Sequence, residues 1–567
     1  DMYLPPEIIG RMLERGGYTG INRIFVSCEA GYSKHSGSLY QYVQQQLGCK
    51  KSAFVHIGDN FESDVKRAQE AGWKAFYLPK TSDCMINQAT GYRFSSIFNR
   101  LYRNNSGIWL ASFGYDSFFG MRCRLAVAAN RLYDDPFAPF DPHSDFNASP
   151  LRIGYFAVGP YLLAIAQWLA ELCRDESFER MNFVARDGWL PMQAFNEIKA
   201  IFGLENLPSD YLYVSRKTVL PLLLNTPECL TTVPWSSYNM RTFNPEQFIE
   251  IVGSACTPEG VRRLKEATER QSLGWTVPFG NAVNFEKFLA LFMENCYDKE
   301  RIQRYSELVK SYYAPMFQGK TASFDIGYSC RSEVVFKRLF HFDVAPCYLH
   351  INGEITALRS YEAGLKQYSF YEYNPAVTGA LREHIISYQG PSCTGFDCTG
   401  DRAVPVFEAY EEPFSARYVT TQLQTAALQY VKDMAAIFGN DLRRIYARRI
   451  DASWPMEYFL HNPTSADADL FNTIPFEDDM GAGRLTIRNF WENGLKTVRS
   501  HSLCEEENGR LDYYAMSKPK KWLVWLLVDR KIIKDTVKRK MGGHPTLLKF
   551  SEGCYHALRG VSSLFRR

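Results

Sequence analysis

The sequence predicts an α/β protein built on parallel strands, and three observations carry that prediction. Short β-branched or apolar runs alternate with amphipathic helical stretches from Asp1 to about Lys80, and again from about residue 151. The intervening stretches are long enough for the crossovers that parallel neighbours require. Polar residues, aspartate and glycine foremost, stand just where the apolar runs stop, which is where open parallel sheets hold ligands.

The first region, 1–85, opens with a helix, PPEIIGRMLERGG, closed by a glycine pair. INRIFVS is a β-branched run and reads as a strand, SGSLYQYVQQQLG as a helix and SAFVHIG as a second strand. FESDVKRAQEAG is a helix stopped at Gly72, and WKAFYL is a third strand. Residues 86–150 read as a helical linker that ends in the Pro- and Asp-rich loop DDPFAPFDPHSDFNASP. A second α/β, Rossmann-like domain is expected over 151–410, with strands at MNFVA, YLYVS, ASFDIG and APCYLHING. Residues 411–517 look helical, and 518–567 form a basic amphipathic tail.

Composition excludes several classes. A formal charge of +3 on 567 residues is too small for a surface-wide nucleic-acid footprint, so nucleic acid is not an expected partner. Fourteen cysteines with no CxxC pair signal neither a zinc site nor a disulfide framework, which suits a reducing cytoplasm. No signal peptide is visible, and no apolar run is expected to reach the roughly 20 residues that span a bilayer.

The stretch HIGDNFESD sets two acids around a Gly-Asp turn at a strand end. Asp59 there is placed to ligate Mg²⁺, a hard ion that prefers oxygen donors and often shares them with phosphate. Asp64, one helical turn on, could brace that ligand, with Gly58 and Asn60 supporting the turn. Lys34, in a loop before a helix and after the preceding strand, can bring a cation to the same sheet edge. The plainer reading keeps Gly58-Asp59-Asn60 as a turn, Asp64 as a helix-start acid and Lys34 as a solvated surface lysine.

A second set of strand ends carries Arg186 and Asp187, then Ser215, Arg216 and Lys217, then Asp325, Gly327 and Ser329. If these meet at one edge, they suit a phosphate or a nucleotide-sugar diphosphate. Helix caps with structural ion pairs are the competing explanation.

FVSCEAGYSKHSG followed by VHIGDNFESDVKRAQEAGWKAFYL resembles the C-terminal half of the core of haloacid dehalogenase-like (HAD) hydrolases. Lys34 matches the lysine of that superfamily's third motif, and Gly58, Asp59 and Asp64 match its GDxxxxD motif. The resemblance implies a Mg²⁺-dependent phosphohydrolase or phosphotransferase with Lys34, Asp59 and Asp64 in the site and Asp59 on the metal. It also implies that this chain by itself is inactive, because the family's DxD nucleophile motif and its second-motif Ser or Thr come upstream of this segment and are not in the chain. The region with RDGW, YVSRK and DIGYS is similar to HAD-linked regions of bacterial proteins of surface-polysaccharide biosynthesis. That likeness implies a phosphorylated small molecule or nucleotide sugar as ligand and glycosyltransferases as partners. The alternative is a non-catalytic scaffold that binds a nucleotide sugar or phosphorylated glycan and positions glycosyltransferases at the membrane.

The tail interleaves Lys518, Lys520 and Lys521 with Trp522 and Trp525 and an apolar run, then further lysines and arginines. That pattern suits a helix lying in an anionic membrane surface, hence a cytoplasmic protein peripheral to the inner face of a bacterial membrane. A docked helix with a solvated basic face fits it as well.

Overall fold

A computed structural model describes residues 3–88, 117–141, 143–225, 243–327, 330–350, 363–371, 379–399, 402–410, 414–461 and 463–476, with short pairs at 485–486, 506–507 and 510–511. The tail 518–567 and Ser329 lie outside the described residues. The chain divides into two compact units, Asp1–Thr90 with Ala126–Pro142, and Gly91–Leu125 with His143–Arg567.

In the first unit, strands β1 (Val55–Gly58) and β2 (Lys74–Tyr77) pair in parallel, Val55 opposite Lys74 and Gly58 opposite Tyr77. Their crossover is the helical run Phe61–Lys66 and Arg67–Glu70, which buries Val65 and Ala68. Gly72 supplies the left-handed turn, φ +87°, that ends this run and feeds β2. Helix Ser38–Leu47 turns Leu39 and Tyr40 inward. Tyr40, Ala68 and Trp73 form the small core, with Phe54 stacked on Trp73 at 4.2 Å between ring centres.

The run INRIFVS, expected as a strand, is in no sheet. Residues 21–26 have no ladder partner, although Val26 is extended at φ −109°, ψ 129°, and Ser27–Ala30 turn helical. β-Branching favours extended backbone, but a strand also needs a neighbour in register, and β1 and β2 pair with each other alone.

The second unit is organised by β3 (Arg180–Val184), β4 (Ser209–Leu212), β5 (Thr321–Asp325), β6 (Val344–Tyr348) and β7 (Tyr368–Ser369). All pair in parallel, in the order β4-β3-β5-β6-β7. β6 is buried along its whole length, as expected of a parallel strand covered on both faces. Because β4 lies on one side of β3 and all later strands on the other, the winding reverses between β3 and β5. An antiparallel hairpin, β8 (Cys393–Thr399) and β9 (Arg402–Phe407), completes the strands that bear on the site.

The span Pro150–Asp175 is a 26-residue helix long and apolar enough to cross a membrane, which corrects the expectation that no apolar run reaches that length. Interrupting polar residues such as Gln167 concealed its continuity, yet 94% of its most apolar window is buried inside the protein. It packs against helix Phe414–Phe438, whose Leu423 carbonyl oxygen would be 2.1 Å from a Cβ at Gly154. Only a glycine permits that approach. Deeper in the unit, the fully buried Arg382 donates to both carboxylate oxygens of Glu457, at 2.6 and 2.9 Å.

Candidate functional site

The loop after β1 is built around Asp64. Asn60 caps the helical run, its Oδ1 accepting from the Ser63 amide at 3.0 Å. That turn brings Asp64 back toward the strand end, where its Oδ2 accepts from the Asn60 amide at 3.0 Å. Its Oδ1 takes Lys34 Nζ at 2.6 Å and lies 3.3 Å from His56 Nε2. Tyr40 closes the floor by donating to the Ser63 carbonyl at 2.9 Å. Gly58 is required by this closeness, since a Cβ there would stand 2.4 Å from Asp64 Cγ.

Burial pushes the Asp64 carboxyl up, but the Lys34 ammonium, the Asn60 amide and His56 together hold it below the usual carboxylate range. Burial likewise pulls His56 down, against the pull of Asp64, so the imidazole tends to be neutral. Burial first, and Asp64 second, push the Tyr40 phenol up, leaving it a hydrogen-bond donor at all ordinary pH.

Asp59 behaves differently. It is 44% exposed, on the same loop, and its Oδ2 pairs with Lys80 Nζ at 2.9 Å across the strand ends. Such an exposed pair is weak, so a divalent ion can compete for the carboxylate. Lys34 and Asp64 are thus joined to each other, whereas Asp59 turns to Lys80 and keeps a partly exposed carboxylate. Among the described residues no cluster of three or more His, Cys, Asp or Glu is placed to enclose a metal, so an ion at Asp59 would complete its shell with water or a ligand's oxygens.

Residues 31–80 match the HAD-hydrolase-like family model. The match takes in Lys34, Gly58, Asp59, Asp64 and Lys80, and points to a hydrolase-type function for this segment. No curated protein matches the chain. Lys80 and His56 in the HAD-like segment were not singled out from the sequence. Lys80 follows the apolar run of β2 and obeys the same strand-end rule that exposed Asp59. His56 gave no such signal, being one inward position of an alternating strand.

In the second unit, Asp187, in the turn after β3, and Asp325, at the end of β5, are close enough for each to act on the other's titration. Ser387 donates to Asp187, at 2.6 Å. Burial pushes Asp325 well up, and the neighbouring charges of Asp187, Glu333 and Glu383 add to it; burial raises Asp187 too. Both carboxyl groups are therefore held toward the protonated form. Arg186 donates to the Gly390 carbonyl at 3.2 Å.

The remaining strand-end residues are differently employed. Ser215 caps helix Arg216–Val219, accepting from the Thr218 amide and donating to the Cys393 carbonyl at 2.6 Å. Arg216 is exposed and Lys217 half-buried on that short helix. Gly327 adopts φ +142°, and a Cβ there would be 2.9 Å from the His350 carbonyl oxygen.

Proposed function

We propose that the HAD-like segment handles metal and charge in a Mg²⁺-dependent phosphohydrolase or phosphotransferase of bacterial cell-surface polysaccharide biosynthesis. The observation that carries the chemical part is the partly exposed Asp59 carboxylate on the loop whose buried Asp64 holds Lys34. Mg²⁺ bound there would neutralise phosphoryl oxygens. Asp59 would hold the ion. Asp64 fixes the position of Lys34, whose ammonium adds positive charge to this segment. Lys80, paired with Asp59, adds a second cation at the same edge.

The polysaccharide setting, the cytoplasmic location and contact of the tail with the membrane's inner face are supported by sequence likeness and pattern alone. A scaffold that binds a nucleotide sugar is the second reading. It is favoured by the concentration of polar groups at the β3 and β5 strand ends, in a sheet we read as Rossmann-like.

Phosphorus NMR of inorganic phosphate with the full chain tests the first reading. Broadening should require Mg²⁺ and should be lost in Asp59→Asn. Broadening that is equal without Mg²⁺, or unchanged in the variant, would overturn it.

A further inference from the structure

Beyond the carboxyl ends of β3 and β4 a cavity of about 230 Å³ opens, walled by Tyr211, Tyr213, Tyr388 and Phe407 and bordered by Arg186 and Cys393. Tyr211 and Tyr213 meet edge to face at 5.5 Å, as do Tyr213 and Phe407 at 5.0 Å. The wall thus runs continuously from the sheet to the hairpin β8–β9. Tyr388 and Phe407 remain 41% and 39% exposed at the mouth. Large aromatic surface left open around a concave site favours a ligand with an apolar face.

The volume is that of about one six-membered ring with its substituents, below the span of roughly 300–1,000 Å³ typical of drug-sized ligands. Both donors and acceptors border it, in the Arg186 side chain and the tyrosine hydroxyls, and the Asp187 carboxyl is close enough to push the Tyr211 phenol up. Hydroxyl groups, which donate and accept at once, match that mixture. A phosphate matches it poorly, because among the described residues Arg186 is the one cation in the lining, and the Asp187 carboxyl acting on Tyr211 disfavours further negative charge.

We propose that this aromatic cavity binds an uncharged pyranose ring, stacked by its C–H face on the tyrosines and hydrogen-bonded through its hydroxyls to Arg186 and the tyrosine hydroxyls. The site is for binding, and neither Asp187 nor Asp325 is part of its lining. The proposal does not rest on the reading of residues 31–80.

Saturation-transfer NMR with the full chain tests it, using the methyl glycosides of glucose, galactose and N-acetylglucosamine, with uridine diphosphate and inorganic phosphate as charged controls. At least one methyl glycoside should receive transfer at its ring protons. Tyr388→Ala, at an exposed position, should weaken that transfer at least threefold with unchanged circular dichroism. Asp59→Asn, in the other unit, should leave it unchanged. Transfer to none of the glycosides, transfer to the charged controls alone, or glycoside transfer indifferent to both Tyr388→Ala and Arg186→Ala would overturn the proposal.

Discussion

At Gly58 a methyl group would lie 2.4 Å from Asp64 Cγ, so this turn cannot take a side chain while the carboxylate stays in place. That carboxylate is 2% exposed and depends on Lys34, the Asn60 amide and His56 for its charge. Lys34→Met removes the shortest of these bonds and should cost about 1–3 kcal/mol in chemical denaturation. Adding Asp64→Asn should recover part of the loss, since the buried charge is then gone. Because the folded-state Asp64 carboxyl is held below its unfolded value, its contribution is present above the ordinary carboxylate range and is lost as pH falls through the depressed value. In Lys34→Met that acid-side dependence should shrink. Gly58, Asp59, Asp64 and Lys34 could be picked out in the sequence because turn chemistry and strand ends leave local marks. The bond from Lys34 to Asp64 spans 30 residues, and no local pattern encodes it.

Among the elements, the junction of β3 and β5 carries the largest electrostatic tension. Asp325 is raised by burial and by Asp187, Glu333 and Glu383, with Arg186 acting on Asp187 in the opposite sense. A raised carboxyl contributes stability that is complete below the ordinary carboxylate range and is lost as pH rises through the folded-state value. The second unit should therefore weaken on the alkaline side, and Asp325→Asn should flatten that decline in urea titrations at a series of pH values. An identical slope in variant and wild type would contradict the assigned pair. A different element, helix Gly379–Ile386, is fastened by the buried pair of Arg382 and Glu457. Arg382→Met should cost about 3–5 kcal/mol, since it strands Glu457 without its partner. β3 to β6 of this sheet were visible as apolar runs, the two-residue β7 was not, and INRIFVS shows the limit of that signal. Its composition suits a strand, but pairing depends on what lies beside it, and the run has no neighbour in register.

Across the whole molecule, two compact units imply two cores of unequal size. Calorimetry should accordingly resolve two transitions, with Lys34→Met lowering one and Arg382→Met the other. A single transition lowered by both variants would show that the units unfold together. Helix Phe414–Phe438 belongs to the core of the second unit, with Leu423, Tyr430, Val431 and Met434 buried. Sequence pattern gave its helicity but not its place, because the small residues that admit it, Gly154 and Gly159, stand more than 250 positions earlier and look like ordinary helix interruptions. The residues matching the hydrolase family are confined to the first unit, so the proposed metal site there and the aromatic cavity of the second can be tested apart.

Titration of the full chain with Mn²⁺, standing in for Mg²⁺ and followed by electron paramagnetic resonance, tests most directly whether the loop after β1 is a metal and phosphoryl site. The wild type should bind one ion, tightened by inorganic phosphate, and Asp59→Asn should weaken binding at least tenfold while Asp325→Asn leaves it alone. Equal binding by wild type and Asp59→Asn would contradict the account.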